Sequence, residues 1–272
     1  MSTTTLSELA EAGAPSAIAS IYAEMRERTA APMVALIWRH LATMPGVLEE
    51  IWSGFRGIAS AGLLQETAWS TSAAAVDAPP ADVSRARLNS AGLDDDAIAG
   101  FGRALDAYNR VNPINFLMVR MLVHHLDAAP RTTEPAIPAI WWQPPPPVGP
   151  LPPMVPIAAL AGEPRRMIDA LSCDPAQDRS TLVPTLYRHL TGHPALIPLV
   201  HGALIDRFRS GEIGREVASV SAALDAEAQR LAWYLPRLEA LRARPEVRAT
   251  LDRFSRLIPE LVVVGLLLRR GL

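Results

Sequence analysis

The 272-residue chain contains no lysine, so all 26 of its permanently cationic side chains are arginines. That removes Schiff-base chemistry, the phosphate-binding lysine of a P-loop and any lysine general base. Cysteine is almost as scarce. A lone Cys173 excludes an internal disulfide and a Cys-x-x-Cys redox pair, and it fits a reducing, cytoplasmic setting. Long apolar runs are missing as well. The longest, Leu261 to Leu268, falls well short of the roughly 20 residues needed to cross a bilayer, so a buried helix is expected there and no membrane partner. Glu8 and Glu11 interrupt the first apolar stretch, and no basic start precedes it, so no secretory leader is expected. The arginines face 28 acids, for a net charge of -2 without a basic run, which argues against nucleic acid as a partner.

What is present is apolar residue at helical spacing. Hydrophobic side chains make up 49% of the chain, enough for a sizeable core. Ile18, Ile21, Tyr22 and Met25 recur at i, i+3, i+4 and i+7, as do Val47, Leu48, Ile51, Trp52, Phe55 and Ile58. Alternating strand-like patterns are rare, and the expected fold class is all-α. Asp94 to Asp96 provide an acidic start for a helix running to Tyr108. Pro45, Pro113, Pro194 and Pro259 each precede a periodic run, where proline fits the first helical position.

The chain also repeats itself. Arg39-His40-Leu41, Pro45 and Val47-Leu48 return 149 residues later as Arg188-His189-Leu190, Pro194 and Leu196-Ile197. Leu105-Asp106-x-Tyr108-x-Arg110-Val111-x-Pro113 returns 146 residues later as Leu251-Asp252-x-Phe254-x-Arg256-Leu257-x-Pro259. Two blocks in the same order at nearly one offset predict a duplicated helical unit. The expected organisation is a first half over 1–129, a Pro-rich linker over 130–156 and a second half over 157–272, together one pseudo-symmetric globule. Pro130 to Pro156 holds 11 prolines, a density no helix survives. Trp141-Trp142 within it predicts a strap lying on the surface rather than a solvated tether, with a proline-rich docking ligand as the alternative. Where the copies differ, function is expected: Asn112 stands where the second copy has Ile258.

Three segments carry a likeness to a known family: Pro32-Met33-Val34-Ala35-x-x-x-Arg39-x-Leu41-Ala42-Thr43-x-Pro45-Gly46, Gly92-Leu93-Asp94-Asp95-x-x-Ile98, and Asn109-x-x-Asn112-Pro113. Together they resemble the group I 2-haloacid dehalogenases, with the likeness running from about Ala31 to Leu199 and more weakly beyond. The resemblance implies two related helical halves of an alkyl-hydroperoxidase-D-like kind, a small 2-haloacid held between them, no cofactor and a possible homodimer. It also implies direct attack of an activated water on carbon 2, assisted by the asparagine at 112. The water-activating aspartate would fall at 186, inside Thr185-Leu186-Tyr187, where this chain has leucine. Met33 and Leu36 replace bulky rings in the expected wall. The resemblance therefore implies a dehalogenase with lost or altered activity, whose site is Asn112 with Met33, Leu36, Thr185, Leu186 and Tyr187.

Other residues admit two readings. Asn112 suits the orientation of water, halide or carboxylate oxygen, and before Pro113 it also suits a helix N-cap. Thr185 to Tyr187 form either a pocket wall or an ordinary helix start after Pro184. His189, His193 and His201 raise the question of zinc, but Gly192 and Pro194 break the face two ligands would share, and no metal site is expected. His189 lies three residues from Leu186 and is a substitute base if the two share a face. The repeated Arg39, Arg188, Arg110 and Arg256 suit internal ion pairs and carbonyl contacts, with a carboxylate clamp open to one of them. Three function classes follow: an altered dehalogenase, a non-hydrolytic binder of a small carboxylate or apolar ligand, and an interaction protein with a closed cleft.

Overall fold

The apolar spacing becomes helix throughout the computed structural model, which describes residues 6–129, 136–137, 142–174 and 182–272. In chain order the helices are α1 (Ser16–Thr29), α2 (Leu36–Leu41), α3 (Val47–Ser60), α4 (Leu63–Ala75), α5 (Arg85–Ser90) and α6 (Asp95–Asp127). After the Pro-rich segment come α7 (Gly162–Ala170), α8 (Thr185–Leu190), α9 (Leu196–Arg209), α10 (Glu212–Leu231), α11 (Glu239–Arg242) and α12 (Pro245–Gly271). No strand occurs among the described residues, so the fold is all-α. No helix among them is long and apolar enough to cross a membrane.

Part of the helix order recurs, with matching lengths in the first two helices of each series and different lengths after them. A six-residue helix (α2, α8) leads through a turn containing Pro45 or Pro194 into a 14-residue helix (α3, α9). A glycine with positive φ, Gly62 or Gly211, then starts the next helix (α4, α10), and a long helix closes each series (α6, α12). The buried stripe predicted for α3 is present, with Val47, Leu48, Ile51, Trp52, Phe55 and Ile58 all in the core.

Pro113 and Pro259 do not begin helices. Each lies inside a long one, α6 or α12, and Asn112 is mid-helix rather than at an N-cap. Capping instead falls to Asp94, whose carboxylate accepts from Ala97 N at 2.8 Å. The helix it opens does not stop near Tyr108 but runs on to Asp127. A mid-helix proline costs roughly 3 kcal/mol by removing one N–H and crowding the carbonyl four residues back. Tertiary burial outweighs it, because both prolines and most of their neighbours are sealed between α6 and α12, which pack along each other. Asn109 of α6 donates from Nδ2 to the Gly265 carbonyl of α12 at 3.0 Å. A Cβ at Gly265 would collide with the Asn109 amide, so glycine there leaves room for this hydrogen bond.

The described stretch 142–156 of the Pro-rich segment contains no helix and is held mainly through its carbonyls. Arg110 donates to Pro146 O at 2.7 Å, Arg103 to Pro150 O at 3.1 Å, His189 to Pro152 O at 2.8 Å and Arg188 to Val155 O at 2.9 Å. Trp142 donates to Glu66 at 2.9 Å and covers Gly62 so closely that a Cβ there would enter the indole. Trp141 lies outside the described residues. At the other end of the chain, Arg269 and Arg270 do not simply end the last helix in solvent: Arg269 pairs with Asp106 at 2.6 Å and Arg270 donates to the Val76 and Ala73 carbonyls.

Candidate functional site

Helices α2, α6, α8 and α12 enclose a largely apolar cavity of about 110 Å³. One wall is the extended chain before α2 together with its first turn, Met33 to Ile37, and Arg39. That segment is pinned by Glu11, which accepts from Val34 N at 3.0 Å and pairs with Arg26. A second wall is one face of α6, where Tyr108, Asn112 and Asn115 recur at i, i+4 and i+7. The α12 wall uses the positions 146 residues on, Phe254, Ile258 and Leu261. The fourth wall is Leu182 to Thr185 with His189, and Met154 of the Pro-rich segment completes it.

The walls match in position and differ in polarity. Asn112 lines the void where the matching position of α12 is Ile258, and Asn115 where it is Leu261. Asn115 is satisfied, since its Oδ1 accepts from Trp38 Nε1 at 2.8 Å. Asn112 is buried and its Nδ2 has no acceptor. Arg39 pairs through Nη2 with Glu8 at 2.9 Å, leaving its buried Nε without a partner. Leaving a buried donor unpaired costs about 1–3 kcal/mol, so two such groups on neighbouring walls of one cavity point to an acceptor supplied by a ligand.

Tyr108 and His189 form the other polar element. Their rings pack at 5.8 Å between centroids with a 55° tilt. Burial pushes the Tyr108 phenol up to about 12, against an opposing hydrogen bond with Thr185 and the nearby Arg39 and Arg188 charges. Burial also holds the His189 imidazole below the usual histidine range, opposed by the Pro152 carbonyl and reinforced by Arg188.

Of the residues singled out from the sequence, Met33, Leu36, Asn112, Thr185 and His189 line this one cavity. Leu186 and Tyr187 do not. Both are fully buried in the hydrophobic core, and the Tyr187 hydroxyl lies 3.5 Å from the Leu171 carbonyl. Within α8 the cavity takes positions 185 and 189, while 186, 187 and 190 face the core, so His189 shares its face with Thr185 rather than with Leu186. Arg39, one of the four arginines open to a carboxylate clamp, lines the cavity as well, whereas Tyr108, Asn115 and Phe254 are additions the sequence reading lacks. Helical spacing from Asn112 would have found Tyr108 and Asn115 had Pro113 not been read as a helix start. Among the described residues, no group of three His, Cys, Asp or Glu side chains is arranged to hold a metal ion.

Comparison with known proteins yields structural likeness alone. No family model matches the chain and no curated protein matches it. Among solved structures, a D-2-haloacid dehalogenase mutant in complex with D-2-CPA superposes with a TM-score of 0.76 at 17% identity, covering 98% of this chain and 96% of that one. A D-2-haloacid dehalogenase with L-LA gives 0.73 at 16% identity, with the same coverages. A further D-2-haloacid dehalogenase mutant gives 0.72 at 15%, covering 98% and 95%. The fold is thus dehalogenase-like over essentially the whole chain.

Proposed function

We propose that the cavity binds a short-chain carboxylic acid, its carboxylate taken by Asn112 Nδ2 and Arg39 Nε and its alkyl end by the apolar α12 wall. The reading rests on one observation: a buried amide N–H without an acceptor on the wall of an apolar cavity. The size agrees. A cavity of roughly 150 Å³ takes up benzene with its six heavy atoms, so about 110 Å³ suits an acid of about four or five heavy atoms, the size of propionate. The existence of that space also favours a binding site over a cleft closed by side chains.

The likeness in sequence and fold to 2-haloacid dehalogenases supports a 2-substituted propionate as ligand and a duplicated helical ancestry as its scaffold. Hydrolysis through an aspartate at 186 is lost in this reading, because the position holds leucine and packs in the core. Thermal unfolding with propionate, 2-chloropropionate and the neutral isostere propionamide tests the proposal. A ligand at a hundred times its Kd stabilises the native state by about 2.7 kcal/mol, a shift of several degrees for a chain of this size. The acids are expected to raise the melting temperature and the amide to leave it unchanged. Equal shifts with acid and amide, or none with either, refute the carboxylate site.

A further inference from the structure

The α6 wall carries a second amide beside Asn112. Asn115 lies one helical turn further along the same face, and both side chains are buried. The orientation of the Asn115 amide follows from its partner. An indole N–H can only donate, so the atom 2.8 Å from Trp38 Nε1 is the amide oxygen, and that bond leaves the NH2 branch still to be placed. Trp38 borders a small chamber of about 20 Å³ behind this wall and does not line the main cavity, whereas Asn115 lines both spaces. With Oδ1 turned to Trp38, Nδ2 is the branch directed to the main cavity.

Three N–H donors therefore meet in one corner: Asn112 Nδ2, Arg39 Nε and Asn115 Nδ2. The two oxygens of a carboxylate engage the first two. The third asks for an acceptor elsewhere on the ligand, and side chains three apart on a helix stand roughly 5–6 Å apart at Cβ, close enough to reach adjacent carbons of one short acid. A second carboxylate does not suit the place. Arg39 is the single permanent charge among the described lining residues, so a dianion would bury one charge without a counter-charge. The fitting group is a neutral oxygen on carbon 2. A carbonyl oxygen accepts and brings no hydrogen, whereas a hydroxyl would add one on the side where three donors already converge.

We propose that the cavity is a site for 2-oxo acids, with the carboxylate on Asn112 and Arg39 and the carbon-2 carbonyl accepting from Asn115 Nδ2. The proposal rests on the small-carboxylate reading above and names its ligand class. Trp38 is a positioning residue in it: by taking the amide oxygen, it fixes which end of Asn115 the ligand meets. The alkyl end of the acid keeps its place on the α12 wall.

Isothermal titration calorimetry with pyruvate, propionate and lactate of either hand tests this. Pyruvate differs from propionate only at carbon 2, so the ratio of their Kd values reads the Asn115 contact. Pyruvate is expected to bind about two- to tenfold more tightly than propionate, the worth of one neutral hydrogen bond, and more tightly than either lactate. Asn115→Leu combined with Trp38→Phe removes both partners of the wall's own bond and should bring pyruvate and propionate to one Kd. Trp38→Phe alone should keep a preference for pyruvate, because the amide remains. Asn115→Asp at pH 8 is the second variant, which keeps an oxygen for Trp38, loses the donor and should also lose the preference. Equal binding of pyruvate and propionate by the parent, tighter binding of lactate than of pyruvate, or a preference that survives loss of the Asn115 amide overturns the 2-oxo assignment while the carboxylate reading stands. Binding of none of these acids overturns the carboxylate reading itself.

Discussion

Replacing Leu186 with aspartate restores the residue type that the dehalogenase resemblance leads one to expect, and the structure predicts that the change fails. Leu186 has no exposed surface and belongs to the central apolar cluster. Truncating a buried leucine costs about 2–5 kcal/mol, and burying a carboxyl without partners adds about 1–3 kcal/mol even when it is protonated. A combined loss of roughly 3–8 kcal/mol is a large part of the 5–15 kcal/mol that holds an ordinary domain together. It corresponds to a melting temperature lower by roughly 6–30 °C. The loss should grow with pH. Burial favours the neutral carboxyl and so raises its folded pKa above the unfolded value of about 3.9. Stability is then best preserved below that value and falls by about 1.4 kcal/mol per unit as pH rises toward the folded pKa. Urea unfolding followed by circular dichroism from pH 4 to 8 measures this, with Leu186→Asn as the non-titrating control, expected to be destabilised but flat with pH. Thr185→Asp, on the cavity face and half-buried, should fold far better. A Leu186→Asp variant that melts near the parent at pH 7 and gains halide release would refute the reasoning, because residue 186 would then have to face the cavity.

Two further perturbations examine other walls of the site. Asn112→Leu removes an unpaired buried donor at nearly constant volume, so the melting temperature should hold or rise by a degree or more while the shift induced by small acids disappears; a large destabilisation would mean the amide already has a structural partner. Tyr108, with a folded pKa of about 12 against about 10 unfolded, contributes stability that is intact below pH 10 and lost at about 1.4 kcal/mol per unit between pH 10 and 12. Ultraviolet titration should find its phenolate appearing only as the helices melt, and ionisation near pH 10 in the intact fold would show the ring to be hydrated.

The helical class was legible because the apolar stripe of α3, and that of α1, keep a helical period over many residues. Asn112 was legible because the chain offers its own comparison at Ile258. The course of α6 through Pro113 was not, since local sterics place proline at a helix start and only the packing of α12 against α6 reverses that preference. The facing of α8 was hidden for another reason. Six residues make fewer than two turns, too few for periodicity to distinguish Thr185 and His189 from Leu186 and Tyr187. The tautomer of His189 depends on a carbonyl 37 residues away in sequence, which no local pattern encodes.

Asn112 and Ile258 line one void from neighbouring helices, at positions the two long helices share. The cavity therefore has a pole, set by which of the two carries the amide. In the small-acid reading Arg39 stands on a third wall, so moving the amide to 258 would part the two donors rather than reverse them.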